Sequence, residues 1–196
     1  MKELLITGFD PFGGEQVNPS WEAVSRLPEQ IGEYHLTKLQ IPTVFGKAAE
    51  QVLAVAEQLC PDVILCIGQA GGREGITPEV VAINLREARI PDNAGNHPMA
   101  LPVVEHGPAA YFTTVPVREM VAAVTKAGIP SSLSYSAGAY VCNDVLYSLL
   151  HHYKETETRV GFIHVPFLPT QAKRNTPSLS LDETIRALTE VLRVLR

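Results

Sequence analysis

Val63-Ile64-Leu65-Cys66-Ile67 is an unbroken apolar run that ends at Gly68-Gln69-Ala70-Gly71-Gly72. Five apolar residues without polar alternation describe a strand covered on both faces, as in a parallel sheet flanked by helices. Two other segments read alike: Leu4-Leu5-Ile6 stops at Gly8, and Val160-Gly161-Phe162-Ile163-His164-Val165 stops at Pro166. Helical spacing separates them. Val44, Ala48, Val52, Val55 and Leu59 mark a helix over 43–59, residues 115–127 form another closed by Gly128, and a third spans 141–153. Asn18-Pro19 reads as an N-cap with proline at the first helical position, opening a helix toward Leu27. Ser180-Leu181-Asp182-Glu183 is a capping box. It opens a terminal helix with Leu181, Ile185, Leu188, Leu192 and Leu195 on one face. Residues 36–41 and 131–136 read as further strands, 79–90 as extended chain, and 91–110, rich in Pro, Gly, Asn and His, as a long excursion. Strands alternating with helices predict an α/β fold, an open sheet with helices on both sides.

Composition narrows the function. The 196 residues suit one domain, and 45% hydrophobic against 19% charged residues excludes a disordered or fibrous chain. A net charge of −5 argues against nucleic acid as the main partner, which needs a basic face. No apolar run approaches the roughly 18 residues a membrane span needs, and residues 1–7 read as a first strand rather than a signal peptide. Three cysteines, an odd number without a C-x-x-C pair, argue against a disulfide framework or a zinc ribbon and suggest reduced thiols in the cytoplasm. His97, His106, His151 and His152 lack metal-ligand spacing, so no metal is expected. His151 and His152 read as exposed residues at a helix end. Gly8-(x)4-Gly13-Gly14 imitates a phosphate loop but lacks the Lys-Ser/Thr pair.

Sites in open α/β sheets form beyond the carboxyl ends of the strands. The loops carrying Phe9–Gly14, Gly68–Gly72, Gly138–Cys142 and His164 are therefore expected along one edge. Cys142 stands near a helix start, where the partial positive charge favours a thiolate nucleophile. Cys60 and Cys66 read as buried core residues. His164, at a strand end, is a candidate to take the thiol proton and return it to a leaving amine. A carboxylate must orient the imidazole. Glu79 and Asp92 both follow the Gly68–Gly72 loop, and the residues alone do not separate them.

Several segments together resemble the pyroglutamyl-peptidase I, or pyrrolidone-carboxylate peptidase, family along nearly the whole chain. They are Thr7–Gly14, Asn18–Trp21, Gly68–Arg73, Ile76–Glu79 with Ala82–Asn84, Ala88–Asn93, Gly107–Tyr111, Ser136–Gly138 with Val141–Asn143, and Gly161–Pro169. The resemblance implies a cofactor-free cytoplasmic cysteine peptidase that removes an N-terminal pyroglutamyl residue from peptides. It implies Cys142 as nucleophile, His164 as base and acid, and Glu79 as orienting carboxylate. It also implies a single-domain three-layer α/β/α sandwich over 1–196 with a mostly parallel twisted sheet, phosphorylase/hydrolase-like, and commonly a homotetramer.

A neutral lactam ring needs apolar walls, for which Phe9, Phe12, Ile90, Tyr140 and Val141 are candidates. Its N–H and C=O need partners, expected from backbone groups near Gln69 and from Asn18. The Cys142 N–H at the helix start is expected to bind the oxyanion, and the family resemblance implies Arg89 beside it. The chain departs from the family pattern at Val80 where Arg or Lys is usual, Tyr140 for Phe, Asp144 for His, and Tyr135 for a polar residue. The alternatives are a nucleoside phosphorylase-like transferase sharing the fold and a catalytically silent binding protein.

Overall fold

The computed structural model describes residues 1–173 and 175–195. The sheet is built on β1 (Lys2–Phe9), β3 (Tyr34–Ile41), β4 (Val63–Gln69) and β8 (Arg159–Val165), all mutually parallel. Two short antiparallel edges close it, β2 (Gln30–Ile31) beside β3 and β5 (Thr77–Pro78) beside β8, giving the order β2-β3-β1-β4-β8-β5. A separate hairpin pairs β6 (Val81–Ile83) with β7 (Ala110–Phe112).

Side-chain alternation divides the core in two. Leu4, Ile6, Val63, Leu65, Ile67, Ile163 and Val165 join one cluster, under α1 (Pro19–Ser25), α3 (Val117–Lys126) and α5 (Leu181–Arg193). Leu5, Ile64, Cys66, Val160 and Phe162 join the other, under α2 (Lys47–Leu59) and α4 (Val141–His152). The continuous apolar runs are thus strands buried from both sides, and the three-layer α/β/α arrangement follows. Gly8 lets α1 close on β1, since a Cβ there would come within 2.7 Å of the Trp21 backbone. Asn18 caps α1 by accepting from Ser20 N, and Ser180 and Glu183 complete the capping box of α5.

Some local expectations fail for physical reasons. The helix predicted from Thr43 begins only at Lys47, because Asp10 draws the Thr43 N–H to its carboxylate (2.7 Å) and Gly46 turns the chain at φ 72°. Residues 131–136 contribute isolated bridges, Ile76 with Ser131 and Glu79 with Ser134, not a full strand. Cys60 is exposed, not core: it ends α2 in the left-handed conformation at φ 50°, which turns it outward. His151 is half-buried rather than exposed, bonded to the Tyr111 hydroxyl (2.8 Å) and stacked on Tyr147.

Candidate active site

The β4–β8 register sets Gly68 beside His164. Both belong to the sheet face covered by α2 and α4, where the His164 ring lies 4.8 Å from that of Phe162. Cys142, the second residue of α4, drops its sulfur onto this spot. A Cβ on Gly68 would stand 3.1 Å from Cys142 Sγ and 2.7 Å from the Phe162 ring. The missing side chain of Gly68 is therefore the space in which the sulfur reaches the floor of the cleft. That cleft, about 690 Å³, opens at the carboxyl edge of the sheet and holds both Cys142 and His164.

Behind the imidazole lies a fully buried carboxylate. Glu79 Oε1 meets His164 Nδ1 at 2.6 Å and accepts from Arg73 at 2.8 Å. Arg73 also donates to Thr77 Oγ1 (2.5 Å) and to the Ser136 carbonyl (3.1 Å). The second oxygen, Oε2, accepts no hydrogen bond from the described residues. Ser134 lies close enough to Glu79 for its hydroxyl to favour the anion, although that hydroxyl also points to the Ser136 carbonyl (3.2 Å).

Burial works to raise the Glu79 carboxyl, but the His164 hydrogen bond, that ring's charge, the Ser134 hydroxyl and Arg73 together hold it below the usual carboxylate range. Burial also lowers His164, partly countered by Glu79 and assisted by Arg73. Glu79 is therefore ionised and His164 neutral at neutral pH. Nδ1 carries the proton shared with Glu79, and Nε2 is left as a base. Burial, together with the Glu79 charge, pushes the Cys142 thiol up to about 12. The helix start thus does not by itself yield a resting thiolate; the group is a thiol whose proton needs an acceptor.

Of the other expected residues, Phe12, Gln69, Arg89, Ile90 and Tyr140 line the cleft. The Tyr140 ring packs edge-on against Phe45 at 5.2 Å, and its hydroxyl donates to the Pro91 carbonyl. Phe9, Asn18 and Val141 are not on this wall. Phe9 is a core residue of β1 packed on Phe162, Val141 is buried in the first turn of α4, and Asn18 is buried as cap of α1 with its amide on the Asp10 carbonyl. Asp92 does not orient His164. Its carboxylate collects the N–H groups of Phe45, Ala94 and Asn96 and so shapes the 91–96 turn.

Two groups escaped the sequence reading. Arg73 entered only as the last residue of the Gly68–Arg73 segment of the resemblance, with no role. Gln171 ties three loops together, donating toward Glu15, the Val17 carbonyl and Gln69 Oε1, and nothing in its spacing signals this.

The constellation has the parts of nucleophilic acyl transfer: a sulfur, a neutral imidazole oriented through Nδ1, and a buried anion to stabilise the imidazolium. The Cys142 N–H lies in the first turn of α4, where the helix offers no carbonyl partner and a developing oxyanion can use it. Among the described residues, no group of three or more His, Cys, Asp or Glu is disposed to hold a metal ion.

A family model described as pyroglutamyl peptidase matches residues 2–195. The chain is 51% identical to a pyrrolidone-carboxylate peptidase of Levilactobacillus brevis, covering 98% of this chain and 97% of that protein. It is 50% identical to one of Escherichia fergusonii, over 96% and 90% of the two. The crystal structure of Bacillus amyloliquefaciens pyroglutamyl peptidase I superposes with a TM-score of 0.95 at 47% identity, over 100% of this chain and 97% of that one. The pyrrolidone carboxyl peptidase of Thermococcus litoralis superposes equally well, TM-score 0.95, at 36% identity over 100% and 93%.

Proposed function

The chain belongs to the pyroglutamyl peptidase family, and from that premise we propose that Cys142, His164 and Glu79 carry its reaction. The activity is that of a cysteine-type omega-peptidase, which removes an N-terminal pyroglutamyl residue from peptides. The observation that carries the residue assignment is the buried Glu79–His164 contact beside a sulfur seated over Gly68.

In the proposed sequence, His164 Nε2 takes the Cys142 proton as sulfur attacks the carbonyl carbon of the pyroglutamyl residue. Glu79 stabilises the imidazolium. The Cys142 N–H, with Arg89 on the cleft wall, receives the oxyanion. The C–N bond breaks as the imidazolium returns its proton to the leaving amine, which leaves a thioester on Cys142. A water molecule, deprotonated by His164, then attacks the thioester, releasing pyroglutamate and restoring the thiol.

Phe12, Ile90 and Tyr140 supply apolar walls for the ring. Gln69 is the candidate partner of its polar edge, and Phe9, Asn18 and Val141 support those walls from behind. The phosphorylase-like alternative is not supported: of the cleft arginines, Arg73 is already engaged by Glu79. Residues 1–196 are read as one peptidase domain. Homotetrameric assembly and a cytoplasmic setting belong to the same proposal and draw on the family resemblance. No described helix is long and apolar enough to cross a membrane.

The test is release of a chromophore from a pyroglutamyl amide, with the prolyl amide as control. Proline lacks the lactam C=O and carries a charge, so a site built to hydrogen-bond that group should discriminate by roughly 10⁴-fold in kcat/KM. Comparable values for the two amides would contradict the lactam pocket.

A further inference from the structure

Arg73 is placed by the turn after β4. Gly71 lets that turn pack on Phe167, three residues past His164, since a Cβ there would come within 2.1 Å of the Phe167 ring. From this turn the guanidinium reaches across the end of the sheet. One nitrogen donates to Glu79 Oε1 and Thr77 Oγ1, the other to the Ser136 carbonyl, in the turn that leads into Cys142. The oxygen of Glu79 that Arg73 holds is the same one that meets His164 Nδ1, and the other oxygen accepts no hydrogen bond from the described residues within normal geometry. With His164 neutral, Arg73 is thus the only cation among the described residues paired with Glu79. It also links the carboxylate to the segment that delivers the nucleophile.

We propose that Arg73 is a positioning residue: by bridging Glu79 to the Ser136 carbonyl it fixes which carboxylate oxygen meets His164, and its charge sets the pH range in which the Cys142–His164 pair works. This rests on the assignment of Cys142 and His164 above.

A carboxylate with two free oxygens rotates, and each orientation that leaves Nδ1 misdirects Nε2. Arg73 removes that freedom with a fork of donors that a single ammonium does not reproduce. Its charge acts in one direction. It offsets part of the Glu79 charge, so it disfavours the imidazolium of His164 and favours the thiolate of Cys142. Loss of Arg73 therefore raises both groups and moves the active range to higher pH. The other ionisable groups about the site are Cys66 on β4 and Tyr140 at the start of α4, with Glu15, Glu87 and Arg89 on the cleft wall. None of these bonds Glu79.

The experiment measures kcat and KM against pH for a pyroglutamyl amide with the unaltered enzyme, Arg73→Gln, Arg73→Lys and Cys142→Ser. Arg73→Gln should lose about 10- to 100-fold in kcat near pH 8. Its ratio of kcat/KM at about pH 5.5 to that at about pH 8 should fall by a further ~10-fold. Arg73→Lys, the milder change, should keep the acid limb near that of the parent while lowering kcat, because one ammonium does not hold Glu79 and the Ser136 carbonyl together. A profile for Arg73→Gln superimposed on the parent's, a loss confined to KM, or an unchanged kcat in Arg73→Lys would each overturn the proposal. Should Arg73→Gln not fold, the kcat of Arg73→Lys decides. Substantial turnover by Cys142→Ser would instead overturn the catalytic assignment itself, and with it this inference.

Discussion

Glu79 and Asp144 are both fully buried carboxylates, and each pairs with an arginine whose side chain is 26% exposed. At Asp144 both oxygens are filled, Oδ1 by Arg86 Nε (2.5 Å) and Oδ2 by the Gly46 N–H (2.7 Å). Through them the first turn of α4 is tied to the start of α2 and to the segment around Arg86, which exchanges backbone bonds with Leu101. At Glu79 one oxygen serves two donors and, among the described residues, the other accepts no hydrogen bond, and one of the donors is an imidazole that opens on a cleft. A buried charge with a donor on each oxygen holds structure in place. One left partly unmatched beside a titratable ring is available for chemistry. The two sites lie at opposite ends of one short stretch, because α4 carries Cys142 toward the first and Asp144 toward the second.

This contrast is open to attack. Glu79→Gln should lower kcat/KM by roughly 10³-fold, since it removes the anion that stabilises the imidazolium and keeps the side-chain size. If Asp92→Asn were the more damaging of the two in equally stable variants, the orienting role would belong to Asp92. Gly68→Ala comes next. The added methyl would meet the Phe162 ring at 2.7 Å and the Cys142 sulfur at 3.1 Å, so the ring must shift and the sulfur give by a few tenths of an ångström, which should cost about 10-fold in kcat. Wild-type kcat in a folded Gly68→Ala variant would show that the sulfur need not sit there.

Asp144→Asn should act on stability instead. Breaking a buried pair with one partly exposed partner costs about 2–4 kcal/mol. At roughly 2–4 °C per kcal/mol for a chain of this size, calorimetry should show a Tm lower by about 5–15 °C. The kcat/KM at room temperature should stay within roughly 5-fold. A large catalytic loss without a fall in Tm would erase the distinction between the two carboxylates.

The sheet was legible because Leu4–Ile6, Val63–Ile67 and Val160–Val165 are apolar on both faces, a pattern that only a doubly covered strand needs. Asn18-Pro19 and Ser180–Glu183 marked their helix starts through cap chemistry that is local in sequence. What was lost depended on distant partners. The start of α2 is set by Asp10, 33 residues from Thr43; the exposure of Cys60 comes instead from its own left-handed backbone at the end of α2. At the site, Cys142 and His164 stood out because strand and helix ends gather at one edge. Glu79 and Asp92 were indistinguishable because both follow the same loop, and only the antiparallel seating of β5 against β8 brings one of them to His164. Phe9, Asn18 and Val141 carry the right chemistry for a lactam pocket but are held in the core or a cap, which depends on depth rather than residue type.

The most direct test of the account is kcat/KM for a pyroglutamyl amide in three single variants, Cys142→Ser, Cys60→Ser and Cys66→Ser, each with its fold checked by circular dichroism. The account predicts a loss of at least ~10³-fold for Cys142→Ser, because a serine hydroxyl in this setting is a far weaker nucleophile than the sulfur His164 serves. Cys60, exposed at the end of α2, and Cys66, buried within β4, should be replaceable with changes of less than about 10-fold. A folded Cys142→Ser enzyme that still turns over within ~10-fold of the parent would contradict the claim that this cysteine is the nucleophile.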